Sequence, residues 1–192
     1  TVAVGYKAFT DLTDGQYNTA TGYRAGYNLT TGNQNVFVGY NAGYGNDSTA
    51  LTGDGNTVVG YAAGLDLAGD PDHNTLIGAS AGANLTSADH NTIIGYFAGS
   101  TLTTTVATVL IGRSAGAAIN STDADGTVAI GYQALDALTE GQYNVAIGSN
   151  ALGANQTGNN NTAIGTSALL AATGSNNTAV GYSAGIAITT GT

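Results

Sequence analysis

Short runs of Val, Ile and Thr, each closing on a glycine, recur along the whole chain. Clear copies are Asn161–Leu169 and Asn177–Gly185, and a polar loop rich in Thr, Asn and Gly follows each copy. Alternating β-branched residues over a few positions predict a strand, and the glycine predicts a bend. We call the closing glycines the anchor glycines: Gly5, Gly22, Gly39, Gly60, Gly78, Gly95, Gly112, Gly131, Gly148, Gly165 and Gly181.

The spacing of the anchor glycines predicts a repeat architecture. Successive anchors lie 16 to 21 residues apart, most often 17, so the chain holds eleven copies of one unit. A strand, a bend, a second short strand and a loop make one coil of a solenoid, and consecutive coils stack about 4.8 Å apart. We therefore expect an all-β fold, a parallel β-solenoid (β-roll) of eleven coils. It forms a single domain over residues 1–192, uncapped at both ends.

Three positions of the unit are candidates for the interior. Val or Ile stands one residue before ten of the eleven anchors, and we expect this position and the Ala file to form the core. Asn stands four residues before eight anchors and predicts a ladder of hydrogen-bonded side chains. The Ala file is Ala8, Ala25, Ala42, Ala63, Ala81, Ala98, Ala115, Ala134, Ala151, Ala168 and Ala184; the Asn file is Asn18, Asn35, Asn56, Asn74, Asn91, Asn144, Asn161 and Asn177.

A coil of about 17 residues has a thin core, and the small apolar area that it buries does little to offset the conformational entropy of the chain. We therefore expect further apolar side chains to be buried between chains, and a closed homotrimer is the symmetric solution that we favour. The candidates are a file of tyrosines, described below, and the Leu file of the loops: Leu12, Leu29, Leu67, Leu85, Leu102 and Leu138.

The phrase Asn-Thr-Ala-Ile/Val-Gly-x-x-Ala, in Asn161–Ala168 and Asn177–Ala184, resembles the head repeats of YadA-like trimeric autotransporter adhesins. It also resembles repeat stretches of bacteriophage tail fibres. The resemblance implies trimers of left-handed parallel β-rolls in an extracellular fibre, on a cell surface or a virion. It covers the strand, the glycine and the second strand in all eleven copies, whereas the loop of this chain is longer.

Composition narrows the choice of partners. Three Lys and Arg stand against twelve Asp and Glu, for a formal net charge of −9. Such a surface repels nucleic acid and anionic membranes, and no apolar run is long enough to span a bilayer. There is no Cys and there are two His, so the chain lacks a nucleophile with its base, and we expect no enzyme.

Asp54, Asp72 and Asp89 occupy one position in three consecutive units, and Asp125 returns to it later. Carboxylates stacked at one coil spacing repel each other unless a cation lies between them, so this Asp file (Asp54, Asp72 and Asp89) is a candidate Ca²⁺ site. The alternative is three solvated carboxylates that splay apart. The two histidines, His73 and His90, follow Asp72 and Asp89 directly.

Tyrosines follow seven of the anchor glycines. We call this set the Tyr file: Tyr6, Tyr23, Tyr40, Tyr61, Tyr96, Tyr132 and Tyr182. Its rings could stack on the sugars of a surface receptor or glycan, or pack on neighbouring coils or at a chain–chain interface. Ala79, Arg113, Ser149 and Thr166 interrupt the file.

We therefore expect a structural and adhesive extracellular fibre segment, of the surface-adhesin-head or phage-tail-fibre type. Two alternatives remain open. One is the subunit of an extracellular filament that grows by stacking copies head to tail. The other is a solenoid that binds glycans, through the Tyr file, or ice, through Thr-rich loops such as Thr30-Thr31 and Thr103–Thr105.

Overall fold

The structure is a computed structural model and describes residues 1–46, 48–120 and 124–190. In these residues it has eleven strands of three residues, each ending directly before an anchor glycine. They are β1 (Val2–Val4), β2 (Thr19–Thr21), β3 (Val36–Val38), β4 (Thr57–Val59), β5 (Thr75–Ile77), β6 (Thr92–Ile94), β7 (Val109–Ile111), β8 (Val128–Ile130), β9 (Val145–Ile147), β10 (Thr162–Ile164) and β11 (Thr178–Val180).

The strands form one parallel sheet whose spatial order is their order in the chain. Equivalent positions of successive units pair, for example Val2 with Thr19 and Thr19 with Val36. The chain therefore completes one circuit between strands and makes about ten turns of a solenoid. The predicted all-β parallel solenoid is confirmed. The described residues hold no helix long and apolar enough to cross a bilayer.

The expected second strand of each coil is wrong: the segment after the anchor glycine is a series of turns. The reason is a left-handed residue two positions after each anchor, such as Arg24 with a φ of 52°, which breaks an extended conformation. Hydrogen bonding between coils continues through the turns, since Arg24 N–H donates to the Tyr6 carbonyl at 2.8 Å. The coil thus has one strand and one continuous turn region.

The anchor glycines are required by both conformation and space. Gly95 has a φ of +135°, a value that L side chains rarely adopt. A Cβ built on Gly95 would lie 2.5 Å from the carbonyl oxygen of Gly112, the next anchor along the solenoid. Any other residue here would push neighbouring coils apart.

The middle residue of each strand, rather than the last, faces the interior. We call these residues the strand-centre file: Ala3, Ala20, Phe37, Val58, Leu76, Ile93, Leu110, Ala129, Ala146, Ala163 and Ala179. The file is fully buried from Ala20 to Ala163. The expectation that the Val or Ile before each anchor is interior is therefore wrong, because in a three-residue strand the outer two residues share the opposite side. The Ala file is interior as expected and fully buried from Ala25 to Ala168.

The Leu file also belongs to the core of its own chain. Leu29, Leu67, Leu85, Leu102 and Leu138 are fully buried within the single chain, and Leu12 is partly buried against the same cluster. The expectation that these leucines are buried between chains is therefore wrong. The turn region folds back over the sheet, so the leucines close the coil from the side opposite the strand.

The predicted Asn ladder is confirmed. Asn18 Oδ1 accepts the backbone N–H of Asn35 at 2.8 Å, and Asn35 Nδ2 donates to the Gly53 carbonyl at 2.8 Å. The same pattern links Asn56, Asn74 and Asn91. Each amide thus satisfies buried backbone groups of adjacent coils, which would otherwise destabilise the core.

Candidate functional site

The outward side of the sheet is a continuous file of β-branched residues. The first and third residues of all eleven strands are Val, Ile or Thr, with no charged residue among them. We call this surface the outer sheet face: Val2, Val4, Thr19, Thr21, Val36, Val38, Thr57, Val59, Thr75, Ile77, Thr92, Ile94, Val109, Ile111, Val128, Ile130, Val145, Ile147, Thr162, Ile164, Thr178 and Val180.

The outer sheet face is comparable in area with the largest apolar patch that a typical soluble monomer exposes. Eleven strands at about 4.8 Å, each about 10 Å long, give roughly 500 Å² of mostly apolar surface. The largest apolar patch of a typical monomer is about 300–600 Å² and is often functional. Because the strands pair in register, the strip is also regular along its length.

Four members of the Tyr file form an unbroken stack. Ring centroids lie 5.2 Å apart for Tyr6 and Tyr23, 5.0 Å for Tyr23 and Tyr40, and 5.3 Å for Tyr40 and Tyr61, with interplanar angles of 16° or less. The solenoid sets this distance, since it places equivalent residues one strand spacing apart. The other members are exposed, Tyr182 most of all at 83%.

The stack determines what these rings can contact. Inside it each ring face is covered by the next ring, so sugars can reach only the ring edges, the hydroxyls and the faces at the two ends of the stack. For these four residues the structure shows packing on neighbouring coils, one of the two alternatives drawn from the sequence. Glycan contact stays a prediction, confined to those edges and ends.

Every cation of this acidic chain lies over tyrosine rings, a feature that sequence reasoning missed. Lys7 Nζ is 5.7 Å from the Tyr6 centroid, and Arg24 Cζ is 5.2 Å from that of Tyr23. Arg113 lies over two rings, 6.0 Å from Tyr96 and 5.5 Å from Tyr132. These distances are typical of cation–π contacts.

A second aromatic stack lies beside the first. Tyr27 and Tyr44 have centroids 5.1 Å apart, and Arg24 Cζ is 5.8 Å from both. The signal in the sequence was their shared position, five residues after Gly22 and Gly39. Together with Lys7 and Arg24, the two stacks gather two of the three cations and six tyrosine rings in the first four coils.

The Asp file forms a hydrogen-bonded ladder with the backbone. Asp72 Oδ1 accepts the N–H of Asp54 at 2.7 Å, and Asp89 Oδ1 accepts the N–H of Asp72 at 2.8 Å. Asp54 Oδ1 accepts the N–H of Asn33 at 2.6 Å. One oxygen of each carboxylate is thus occupied by the neighbouring coil, which explains why acidic residues can stack at this spacing.

The two histidines stack on each other beside the Asp file. The rings of His73 and His90 have centroids 5.3 Å apart and an interplanar angle of 16°. Over residues 1–46, 48–120 and 124–190, no three His, Cys, Asp or Glu side chains are grouped as a metal site requires. Ca²⁺ binding at Asp54, Asp72 and Asp89 stays a prediction, and a fall in melting temperature on adding chelator is its test.

Several loop threonines donate their hydroxyls to backbone carbonyls of the next coil. Thr30 Oγ1 donates to the Leu51 carbonyl at 3.2 Å, and Thr103 Oγ1 donates to the Asn120 carbonyl at 3.3 Å. Thr86 and Thr139 make the same contact with the next coil. These threonines therefore hold adjacent coils together, whereas most of the threonines of the outer sheet face recur at one fixed position of the coil.

The fold defines a β-solenoid repeat protein with one parallel sheet, an internal Asn ladder, and stacked tyrosines on its surface. Comparison of the chain with protein-family models, with curated proteins and with solved structures finds no match to any of them.

Proposed function

We propose that the chain is a structural and adhesive segment of an extracellular fibre, on a cell surface or a virion, in which copies associate through the outer sheet face as a homotrimer. The observation that carries this proposal is the composition of that face: 22 outward residues in eleven strands, all Val, Ile or Thr. A charge-free strip along the full length of a chain of net charge −9 is suited to a covered surface.

The occupant that fits this face best is another copy of the same face. Its side chains repeat at the strand spacing, and only an equally periodic surface can meet them along the whole rod. A two-residue-wide strip of roughly 500 Å² is narrow for a stable two-body contact, which buries about 800 Å² per partner. Around a three-fold axis each strip contacts two neighbours, and adjacent side chains add to the contact.

A rod of this kind separates and presents surfaces along a fibre. Eleven coils span roughly 50 Å at the strand spacing, and each coil is bonded to the next through backbone, Asn and Thr hydrogen bonds. The loops and the Tyr file lie outside the strip, where a receptor or glycan can reach them. No reaction chemistry is required by this role.

The test is the mass of the assembly, with one charge placed on the strip. We expect light scattering to give three times the 18.9-kDa chain mass. The variant Ile111→Lys, in strand β7 near the middle of the sheet, would bring three ammonium groups together at the axis and should yield monomers with an unchanged circular dichroism spectrum. The control Gln156→Lys adds the same charge in an exposed loop and should stay trimeric. A monomeric wild type, or an Ile111→Lys variant that keeps its mass, overturns the proposal.

Electron microscopy of the same sample distinguishes the filament alternative. The outermost strands β1 and β11 are each paired on one side within the chain, so copies could stack β11 on β1. Long uniform fibres would favour the filament, whereas discrete short rods would favour the trimeric segment.

Ice binding is a second candidate, favoured by the regularity of the outer sheet face. The first residue of the strand is Thr in six of the eleven strands: Thr19, Thr57, Thr75, Thr92, Thr162 and Thr178. A monomer that shows thermal hysteresis, lost in Ile111→Lys and kept in Gln156→Lys, would support it. A trimer without thermal hysteresis excludes it.

A further inference from the structure

We propose that Tyr61, Ala79 and Tyr96 form a slot that takes the guanidinium group of an arginine side chain from a partner protein. Ala79 occupies the Tyr-file position in the coil between those of Tyr61 and Tyr96, so the stack has an empty place there. The inference goes beyond the proposed fibre role and does not depend on the trimer.

The dimensions of the slot follow from the stack itself. Neighbouring rings of the file lie 5.0–5.3 Å apart, and Tyr61 and Tyr96 belong to coils two strand spacings apart, roughly 10 Å. One planar group fits between two rings at that separation. The methyl group of Ala79 forms the floor of the slot without filling it.

The chain fills the next equivalent place with its own arginine. Arg113 stands one coil beyond Tyr96, and its guanidinium carbon lies 6.0 Å from the Tyr96 centroid and 5.5 Å from that of Tyr132. Two tyrosines that flank a one-coil gap in this file therefore accept a guanidinium between them. The Ala79 gap is likewise flanked by two tyrosines, Tyr61 and Tyr96, and has Ala in place of the arginine.

Charge and exposure favour the same occupant. Tyr61 and Tyr96 are 62% and 52% exposed, so a large part of each side chain is open to solvent. The chain carries a net charge of −9, and each of its three cations already lies over tyrosine rings. Phe97 packs edge-on against Tyr96, with ring centroids 4.5 Å apart. Guanidinium suits such a place better than ammonium, because it is planar and more weakly hydrated.

The test titrates the purified protein with the peptide N-acetyl-Gly-Arg-Gly-amide and follows tyrosine ring signals by NMR. We expect saturable shifts confined to Tyr61, Tyr96 and their neighbours, with an affinity at least about threefold higher than for the matched Lys peptide. The variant Ala79→Arg fills the slot from within and should abolish these shifts. Ala79→Tyr should also abolish the shifts, because it completes the stack. Tyr and Arg both occur at this position in other coils of the chain.

Three results would overturn the proposal. Equal binding of the Lys peptide would show attraction by net charge alone. Saturable shifts that persist in both Ala79→Arg and Ala79→Tyr, each folded by circular dichroism, would place binding elsewhere. Shifts of the same rings by methyl glucoside, without any by the Arg peptide, would make the slot a sugar site. The assembly mass, measured on the same samples, reports separately on the fibre proposal.

Discussion

Gly43 packs so closely against the ring of Phe37 that a methyl group at residue 43 would overlap it. The two residues belong to one coil and face each other across its core. The same pairing of a large strand-centre residue with glycine four residues after the anchor recurs in Leu76 with Gly82 and Leu110 with Gly116. In most coils whose strand centre is Ala the second position is large instead, as in Ala146 with Leu152 and Ala163 with Leu169, all fully buried. Two coils are exceptions, with Ala20 opposite Gly26 and Ala179 opposite Gly185. Nine of the eleven coils therefore hold one large side chain between these two positions.

This exchange predicts a compensating double variant. Ala146→Leu alone should destabilise the protein by about 1–3 kcal/mol through overpacking. Leu152→Gly alone should cost about 2–4 kcal/mol through a cavity, partly offset because Leu152 has a φ of 53°, a conformation that glycine adopts freely. Both changes together should return stability to within about 1 kcal/mol of the wild type, as measured by urea unfolding. Strict additivity of the two losses would show that the residues do not share one space.

The exchange also explains which parts of the fold can be predicted from the sequence. The period, the anchor glycines, the Ala file and the Asn ladder are readable because one residue type fills each position for a local reason. The strand-centre file cannot be predicted in this way, because its residue type changes from coil to coil, as between Ala20 and Phe37. The Val, Ile and Thr residues that recur in every strand lie on the outer sheet face instead. The usual association of β-branched residues with the core therefore favours the wrong side.

For the candidate site, the members of the Tyr file could be predicted from the sequence, but the side chains that contact their rings could not. The Tyr file is visible in the sequence, whereas the contacts of Lys7, Arg24 and Arg113 with its rings depend on left-handed residues in the turns that orient each side chain. The placement of the Leu file inside the chain likewise depends on how the turn region closes over the sheet. Short motifs do not encode that closure.

The Asn ladder predicts a large loss from a single amide. Asn74 Oδ1 accepts N–H groups from Asn91, and its Nδ2 donates to the Ala88 carbonyl at 2.7 Å. Asn74→Ala leaves these buried groups without partners and should cost about 3–5 kcal/mol, since each costs about 1–3 kcal/mol. Asn74→Thr should cost less, because Thr108 occupies the same position and donates to Asn91 Oδ1. Thermal unfolding of both variants is the measurement, and equal losses would contradict the role of the hydroxyl.

The tyrosine stack predicts a stability difference between equivalent residues. Tyr23 stacks on Tyr6 and Tyr40 and also contacts Arg24. Tyr23→Ala should therefore lower the free energy of unfolding by about 1–3 kcal/mol, at about 0.5–1.5 kcal/mol for each aromatic pair. Tyr182→Ala, at a ring that is 83% exposed, should change it by less than about 0.5 kcal/mol. Equal effects of the two variants would show that stacking contributes nothing measurable.

The Asp file predicts that the stability of the fold depends on the side-chain oxygen that accepts a backbone N–H, and not on the charge of the carboxylate. Asp72 Oδ1 accepts the N–H of Asp54, and Asn33 Oδ1 makes the equivalent contact with the N–H of Gln16 at 2.9 Å. Asp72→Asn should therefore keep the wild-type stability, whereas Asp72→Ala should lose about 1–2 kcal/mol. A rise in melting temperature with Ca²⁺ that disappears in Asp72→Asn would instead assign the charge to a metal site. Differential scanning calorimetry with Ca²⁺ and with chelator separates the two outcomes.

Asp136 predicts a pH-dependent stability. Burial raises the pKa of its carboxyl above the ordinary value, against a smaller lowering by a hydrogen bond with its own backbone. Because the folded state favours the protonated form, this group stabilises the fold at low pH, and that contribution is lost as pH rises through the raised pKa. Asp136→Asn, which stays neutral, should therefore melt at a higher temperature than the wild type near pH 7, and the difference should vanish near about pH 3. Asp14→Asn, in an exposed loop, removes the same charge and should show a smaller gain. An equal gain in both variants would assign the effect to net charge rather than to the burial of Asp136.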